Sequence, residues 1–198
     1  KKPTDNILGS GKKPERQLNR YLLRLKRPAF LGLACGVTLL PNIARADATW
    51  VGDTSQDWNN AANWSSDPAN PTGNFFINTD AIGVYPILGA DSAFSPVDII
   101  IGDGSGITGR LDQTGGALST GSGNWLMIGR NGGTGIYNLT GGSVTAGNIR
   151  MARTTFTETA TGTLNVTNAT VNVTGVTRVA DGVNNASTCL GTINLGNG

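Results

Sequence analysis

Four segments of this chain align on a glycine: Gly109-Arg110-Leu111-Asp112-Gln113, Gly135-Ile136-Tyr137-Asn138-Leu139, Gly162-Thr163-Leu164-Asn165-Val166 and Gly191-Thr192-Ile193-Asn194-Leu195. Their starts lie 26, 27 and 29 residues apart. A second set keeps the same rhythm: Ile99-Ile100-Ile101-Gly102, Leu126-Met127-Ile128-Gly129, Ile149-Arg150-Met151-Ala152 and Thr177-Arg178-Val179-Ala180. Between them falls a third: Leu118-Ser119-Thr120, Val144-Thr145-Ala146 and Val171-Asn172-Val173. Each run alternates apolar and polar residues, the period of a strand with one buried face. Three short strands and three turns fill ~27 residues, which is one coil of a three-sided parallel, right-handed β-helix with coils ~4.8 Å apart.

The register follows. Leu111, Tyr137, Leu164 and Ile193 are predicted to stack inward, with Gln113, Leu139, Val166 and Leu195 in the next ladder and Gln113 its one polar member. Asp112, Asn138, Asn165 and Asn194 alternate with these and are expected outside. Asp103, Arg130, Arg153 and Asp181 form a further row, predicting Asp–Arg pairs at both ends. Strand-scale patterns do not fix topology, and an antiparallel β-sandwich is the competing arrangement. Residues 97–198 then hold about four coils, C-terminally incomplete.

Charge divides the chain. Residues 1–46 hold ten of the fifteen Lys and Arg, whereas five arginines against eleven acids leave residues 47–198 at −6. After the basic stretch comes an apolar run, Ala29 to Leu40, of 12 residues. That is short of the roughly 18 needed to span a bilayer as a helix. Pro41 and the small-residue site Ala44-Arg45-Ala46 follow, so residues 1–46 read as a secretory signal cleaved after Ala46. Loss of Cys35 with the leader would leave Cys189 alone, without an internal disulfide.

Residues 47–96 carry Trp50, Trp58, Trp64, Phe75 and Phe76 and are expected to cap the open sheet edge at the N-terminal end. The alternative for Trp50, Trp58 and Trp64 is a platform on which sugar rings stack; core packing is the commoner fate of tryptophan.

Ala48-Thr49-Trp50-Val51-Gly52, with Asp57-Trp58-Asn59-Asn60-Ala61-Ala62-Asn63-Trp64, resembles the start of large exported bacterial repeat proteins. These carry autotransporter-associated β-strand repeats or a PEP-CTERM sorting signal. Ile128-Gly129-Arg130-Asn131-Gly132-Gly133-Thr134-Gly135, followed by Tyr137-Asn138-Leu139-Thr140-Gly141-Gly142, is similar to their repeat unit. The likeness covers Asp47 to Gly198, together with the long basic stretch that opens the leader. It implies a parallel β-helix displayed on the cell surface or outer membrane, or released from the cell. Lys1 and Gly198 predict a fragment of a longer reading frame, with the membrane reached through the signal or through a C-terminal anchor outside this stretch.

The absence of histidine removes every His-dependent triad, His-liganded zinc site and His general base. Glycoside cleavage needs two carboxylates ~5–9.5 Å apart. Asp98 and Asp103 lie five positions apart across a predicted strand, and Glu158 is the sole glutamate after the leader. Arg150 and Arg178 are predicted outward on neighbouring coils without an adjoining Asp ladder. No catalytic residue, metal or cofactor is expected. The net charge of residues 47–198 disfavours nucleic acid as partner. The chain reads as a structural or adhesive surface protein whose partners are extracellular polysaccharide or cell-surface components. A polysaccharide-binding or polysaccharide-degrading, pectin-lyase-like β-helix is the competing reading.

Overall fold

The computed structural model describes residues 46–66, 73–79, 83–90, 92–155, 157–183 and 188–196. The leader expected over residues 1–46, with Ala44 of its cleavage site, lies outside them apart from the exposed Ala46. The strands are β1 (Ala48–Thr49), β2 (Phe75–Ile77), β3 (Ile87–Leu88), β4 (Ala93–Phe94), β5 (Ile99–Asp103), β6 (Thr108–Gln113) and β7 (Ala117–Arg130). They continue as β8 (Thr134–Leu139), β9 (Ser143–Arg153), β10 (Thr159–Val166), β11 (Thr170–Val173), β12 (Thr177–Val179) and β13 (Thr188–Leu195). Every pairing between these strands is parallel.

One sheet runs β13-β10-β8-β6-β3; the other runs β1-β2-β5-β7-β9-β11, with β4 on β7 and β12 on β9. Neighbours in space are thus one coil apart in sequence, and the chain winds a β-solenoid of about five turns. The sides number three, but two of them share a sheet. β7 and β9 turn the corner between those sides without ending, so the expected three strands per coil become two in the middle of the stack.

The glycine-aligned register holds: Gly109, Gly135, Gly162 and Gly191 pair in succession, as do Leu111, Tyr137, Leu164 and Ile193. Ile99, Leu126, Ile149 and Thr177 pair likewise. Burial tracks stacking. Leu111, Tyr137 and Leu164 are 0%, 0% and 2% exposed, whereas Ile193, on the last described coil, is 42% exposed. A coil buries its apolar row only against its neighbours.

Gln113, the polar member of its ladder, is fully buried and fully engaged. Its Oε1 accepts a hydrogen bond from the Tyr137 hydroxyl one coil on. Its Nε2 donates to the carbonyls of Gly115 (3.0 Å), Gly116 (3.3 Å) and Ser143 (3.0 Å). The outward row above it is a ladder of side chains. Asn138 Nδ2 donates to Asp112 Oδ1, Asn165 Nδ2 to Asn138 Oδ1 and Asn194 Nδ2 to Asn165 Oδ1, each at 2.7 Å.

One inward position departs from expectation. Thr120 does not face Ala146; Gly121 does, and the register shifts on both sides of Gly121. The extra residue is a β-bulge, which turns the strand at the corner. Thr120 stays buried there because its Oγ1 accepts the Gly147 N–H at 3.1 Å.

The stack also begins earlier than Val97. Phe75↔Ile99, Ile87↔Asp112 and Phe94↔Leu118 pair in register, so β2, β3 and β4 already form a coil within the aromatic lead segment. Ahead of it, Trp50, Trp58 and Trp64 join the hydrophobic core. Trp58 meets Trp64 edge to face at 4.7 Å between ring centroids, Trp50 meets Trp64 at 5.1 Å, and Phe75 lies 5.4 Å from Trp58. Buried Asn63 ties the loop around these rings. Its Oδ1 accepts from Thr54 N (3.0 Å), Thr54 Oγ1 (2.8 Å) and Ser55 N (3.0 Å), and its Nδ2 donates to Ser55 Oγ and Asp57 O, both at 2.9 Å.

Candidate functional site

Strand alternation decides what the side carrying β5, β12 and the second halves of β7 and β9 presents. Ile99, Leu126, Ile149 and Ile101, Ile128, Met151 point inward and are buried. The residues between them, Arg150 and Arg178 among them, therefore face outward, as the sequence predicts. Arg178 pairs in register with Arg150, and Arg153 with Arg130. Four of the five arginines of residues 46–198 thus share one side. The fifth, Arg110, sits on the opposite sheet, forked onto Asp112 (2.9 and 2.7 Å) and stacked on Tyr85 at 3.9 Å.

Carboxylates balance this side incompletely. Asp103 holds Arg130 through Nε (2.8 Å) and Nη2 (2.5 Å), and also accepts from Asn131 Nδ2 at 3.0 Å. Asp181 was expected beside Arg153. The backbone register agrees, since Met151 faces Val179 and Thr154 bridges Gly182. The carboxylate nevertheless turns to Arg150 Nε (3.2 Å) and Arg178 Nη1 (4.0 Å), because two guanidinium groups on the adjoining strands converge on it. Arg153 is left with a buried Nε that has no hydrogen-bond partner among the described residues. The Arg150 guanidinium lies 3.9 Å over the ring of Trp125. Desolvation lowers the Arg150 pKa, and Arg153 and Arg178 lower it further, with Asp181 opposing them.

The two carboxylates weighed for glycoside chemistry do not form a pair. Asp98 precedes β5 and Asp103 ends it, and a rise of ~3.3 Å per residue separates them by about 16 Å, beyond the ~9.5 Å that two cooperating carboxylates span. Asp98 Oδ1 accepts from the Trp125 backbone N–H at 2.7 Å, and Asp103 belongs to Arg130. Among the described residues no group of three or more His, Cys, Asp or Glu is placed to hold a metal ion.

Trp50, Trp58 and Trp64 are buried, and their rings are occupied by one another and by Phe75, so they offer no face to a sugar. The fourth tryptophan stands apart from this cluster. Trp125 precedes inward Leu126, and strand alternation alone places it outside. Comparison with protein-family models, with curated proteins and with solved structures finds no match to this chain.

Proposed function

We propose that this chain is an exported surface protein whose β-solenoid serves as a structural or adhesive element, without catalysis in this segment. The observation that carries the reading is the solenoid itself, a rod of stacked coils whose outside repeats the same polar group from coil to coil, as along Asp112, Asn138, Asn165 and Asn194. Such a rod projects a regular surface without needing an enclosed cavity. The leader-like composition of residues 1–46 directs it out of the cell. Expression in a bacterial host followed by fractionation and N-terminal analysis tests this. Exported material beginning at Asp47 is expected; a product kept in the cytoplasm with its leader intact would overturn the reading. A second reading, polysaccharide binding, is favoured by one observation, the Arg150–Trp125 stack on the arginine side.

A further inference from the structure

We infer that the side carrying Arg130, Arg150, Arg153 and Arg178 binds an acidic polysaccharide, a linear chain whose sugars carry carboxylate or sulfate groups, laid along the solenoid axis. The inference rests on the polysaccharide-binding reading and specifies its ligand and site.

Like charges placed directly opposite in a sheet repel. Here two such pairs lie side by side, Arg150 with Arg178 and Arg130 with Arg153, on strands ~4.8 Å apart. Asp103 serves one of these arginines and Asp181 serves two. Asp98 is engaged by the Trp125 N–H, and Glu158 lies against the turn at Gly132. Arg153 keeps a guanidinium with no carboxylate partner among the described residues. An arrangement that costs folding energy and leaves a cation unpaired suits an external anion, and Arg forks match carboxylate and sulfate oxygens well. The stacked Trp125 and Arg150 add a flat, amphipathic surface of the kind a sugar ring packs on.

The spacing also selects the ligand. Duplex DNA carries a charge every ~1.7 Å along its axis, which four arginines sharing two aspartates, on a body of net −6, cannot neutralise. A polymer with one charge per sugar is sparser and meets successive coils one group at a time.

Trp125 provides the reporter, because Trp50, Trp58 and Trp64 are enclosed in the core. The full-length protein is titrated with oligogalacturonate, a sulfated oligosaccharide, neutral maltopentaose and a short DNA duplex, following tryptophan fluorescence. The two acidic probes separate carboxylate from sulfate recognition. A saturable change with at least one acidic oligosaccharide is expected, absent with maltopentaose and lost in Trp125→Phe. Arg153→Gln and the exposed Arg178→Gln should each weaken it by about tenfold, equivalent to one charge-assisted contact. Arg110→Gln should leave it unchanged. Unaltered circular dichroism checks that each variant folds. No response to either acidic probe, equal response to DNA or maltopentaose, or full affinity in both arginine variants would overturn the inference. Export with an Asp47 terminus in the same strain would then leave the surface-protein reading standing without this ligand.

Discussion

Gln113 and Tyr137 show how one polar residue becomes tolerable in an apolar column. Each supplies what the other lacks: the hydroxyl needs an acceptor, and the amide oxygen needs a donor once its nitrogen is engaged by three carbonyls. The sequence marks Gln113 as the exception in its ladder but not its partner, because the contact runs diagonally to the neighbouring ladder and no in-register alignment lists it. Burial holds the Tyr137 pKa above its ordinary value. The unfolded chain releases this proton near pH ~10 while the folded chain retains it, so the folded state binds more protons and stability falls as pH rises above about 10. Tyr137→Phe should flatten that alkaline limb in denaturant titrations. It should also lower stability at neutral pH by about 1–2 kcal/mol, the cost of stranding the Gln113 oxygen. An unchanged alkaline slope would show that this hydroxyl is not the group responsible. Asn63 concentrates five hydrogen bonds in a buried amide, and Asn63→Ala is expected to cost ~2–4 kcal/mol by thermal or urea unfolding.

Among elements, the turn after the arginine side separates what was legible from what was not. Gly102, Gly129, Ala152 and Ala180 occupy equivalent places in successive coils, and all have positive φ: 73°, 75°, 50° and 58°. Alanine is strained there, yet it appears in the later coils. At the earlier glycines the backbone of the next coil closes on this place: a Cβ on Gly102 would stand 2.1 Å from the Thr134 carbonyl oxygen, and one on Gly129 2.0 Å from that of Thr161. Gly129→Ala should therefore destabilise by ~3 kcal/mol or more, combining strain and collision. Ala152→Gly should be neutral or stabilising by up to ~1 kcal/mol, since relief of strain is offset by the freedom glycine gains when unfolded. Chemical denaturation of both variants checks the contrast, and equal losses would contradict it. The early coil escaped the alignment because of Pro86. It stands one coil before Leu111, where the repeat otherwise places Leu, Tyr or Ile, and only its carbonyl joins the hydrogen-bond ladder, accepting the Asp112 N–H at 3.1 Å. The bulge at Thr120 was equally hidden, because an inserted residue with a buried hydroxyl reads as one more step of alternation.

Across the whole molecule, stability is local to each stack of coils. Val176, Val179, Val183, Leu190, Ile193 and Leu195, the large exposed apolar residues, all belong to the last described coil. Hydrogen exchange should accordingly be slowest in β8 and the second half of β9 and fastest in β12 and β13. Uniform protection along the chain would contradict a nearest-neighbour stack. The glycine-aligned alternation made this architecture readable, because a parallel solenoid repeats its environment every coil. The arginine side was only half readable: outward placement follows from alternation, but the sharing of Asp181 and the stack on Trp125 depend on side-chain reach across strands. The winding itself is tested most directly by a cysteine pair at the outward positions 138 and 165, in a Cys35→Ser, Cys189→Ser background. Adjacent parallel strands bring their Cα atoms to ~4.8 Å, within the ~4.4–6.8 Å that a disulfide spans. Rapid, near-complete oxidation of Asn138→Cys with Asn165→Cys, with the β-sheet circular dichroism unchanged, is the predicted result. A folded protein in which these two thiols stay reduced would contradict the coil-on-coil register.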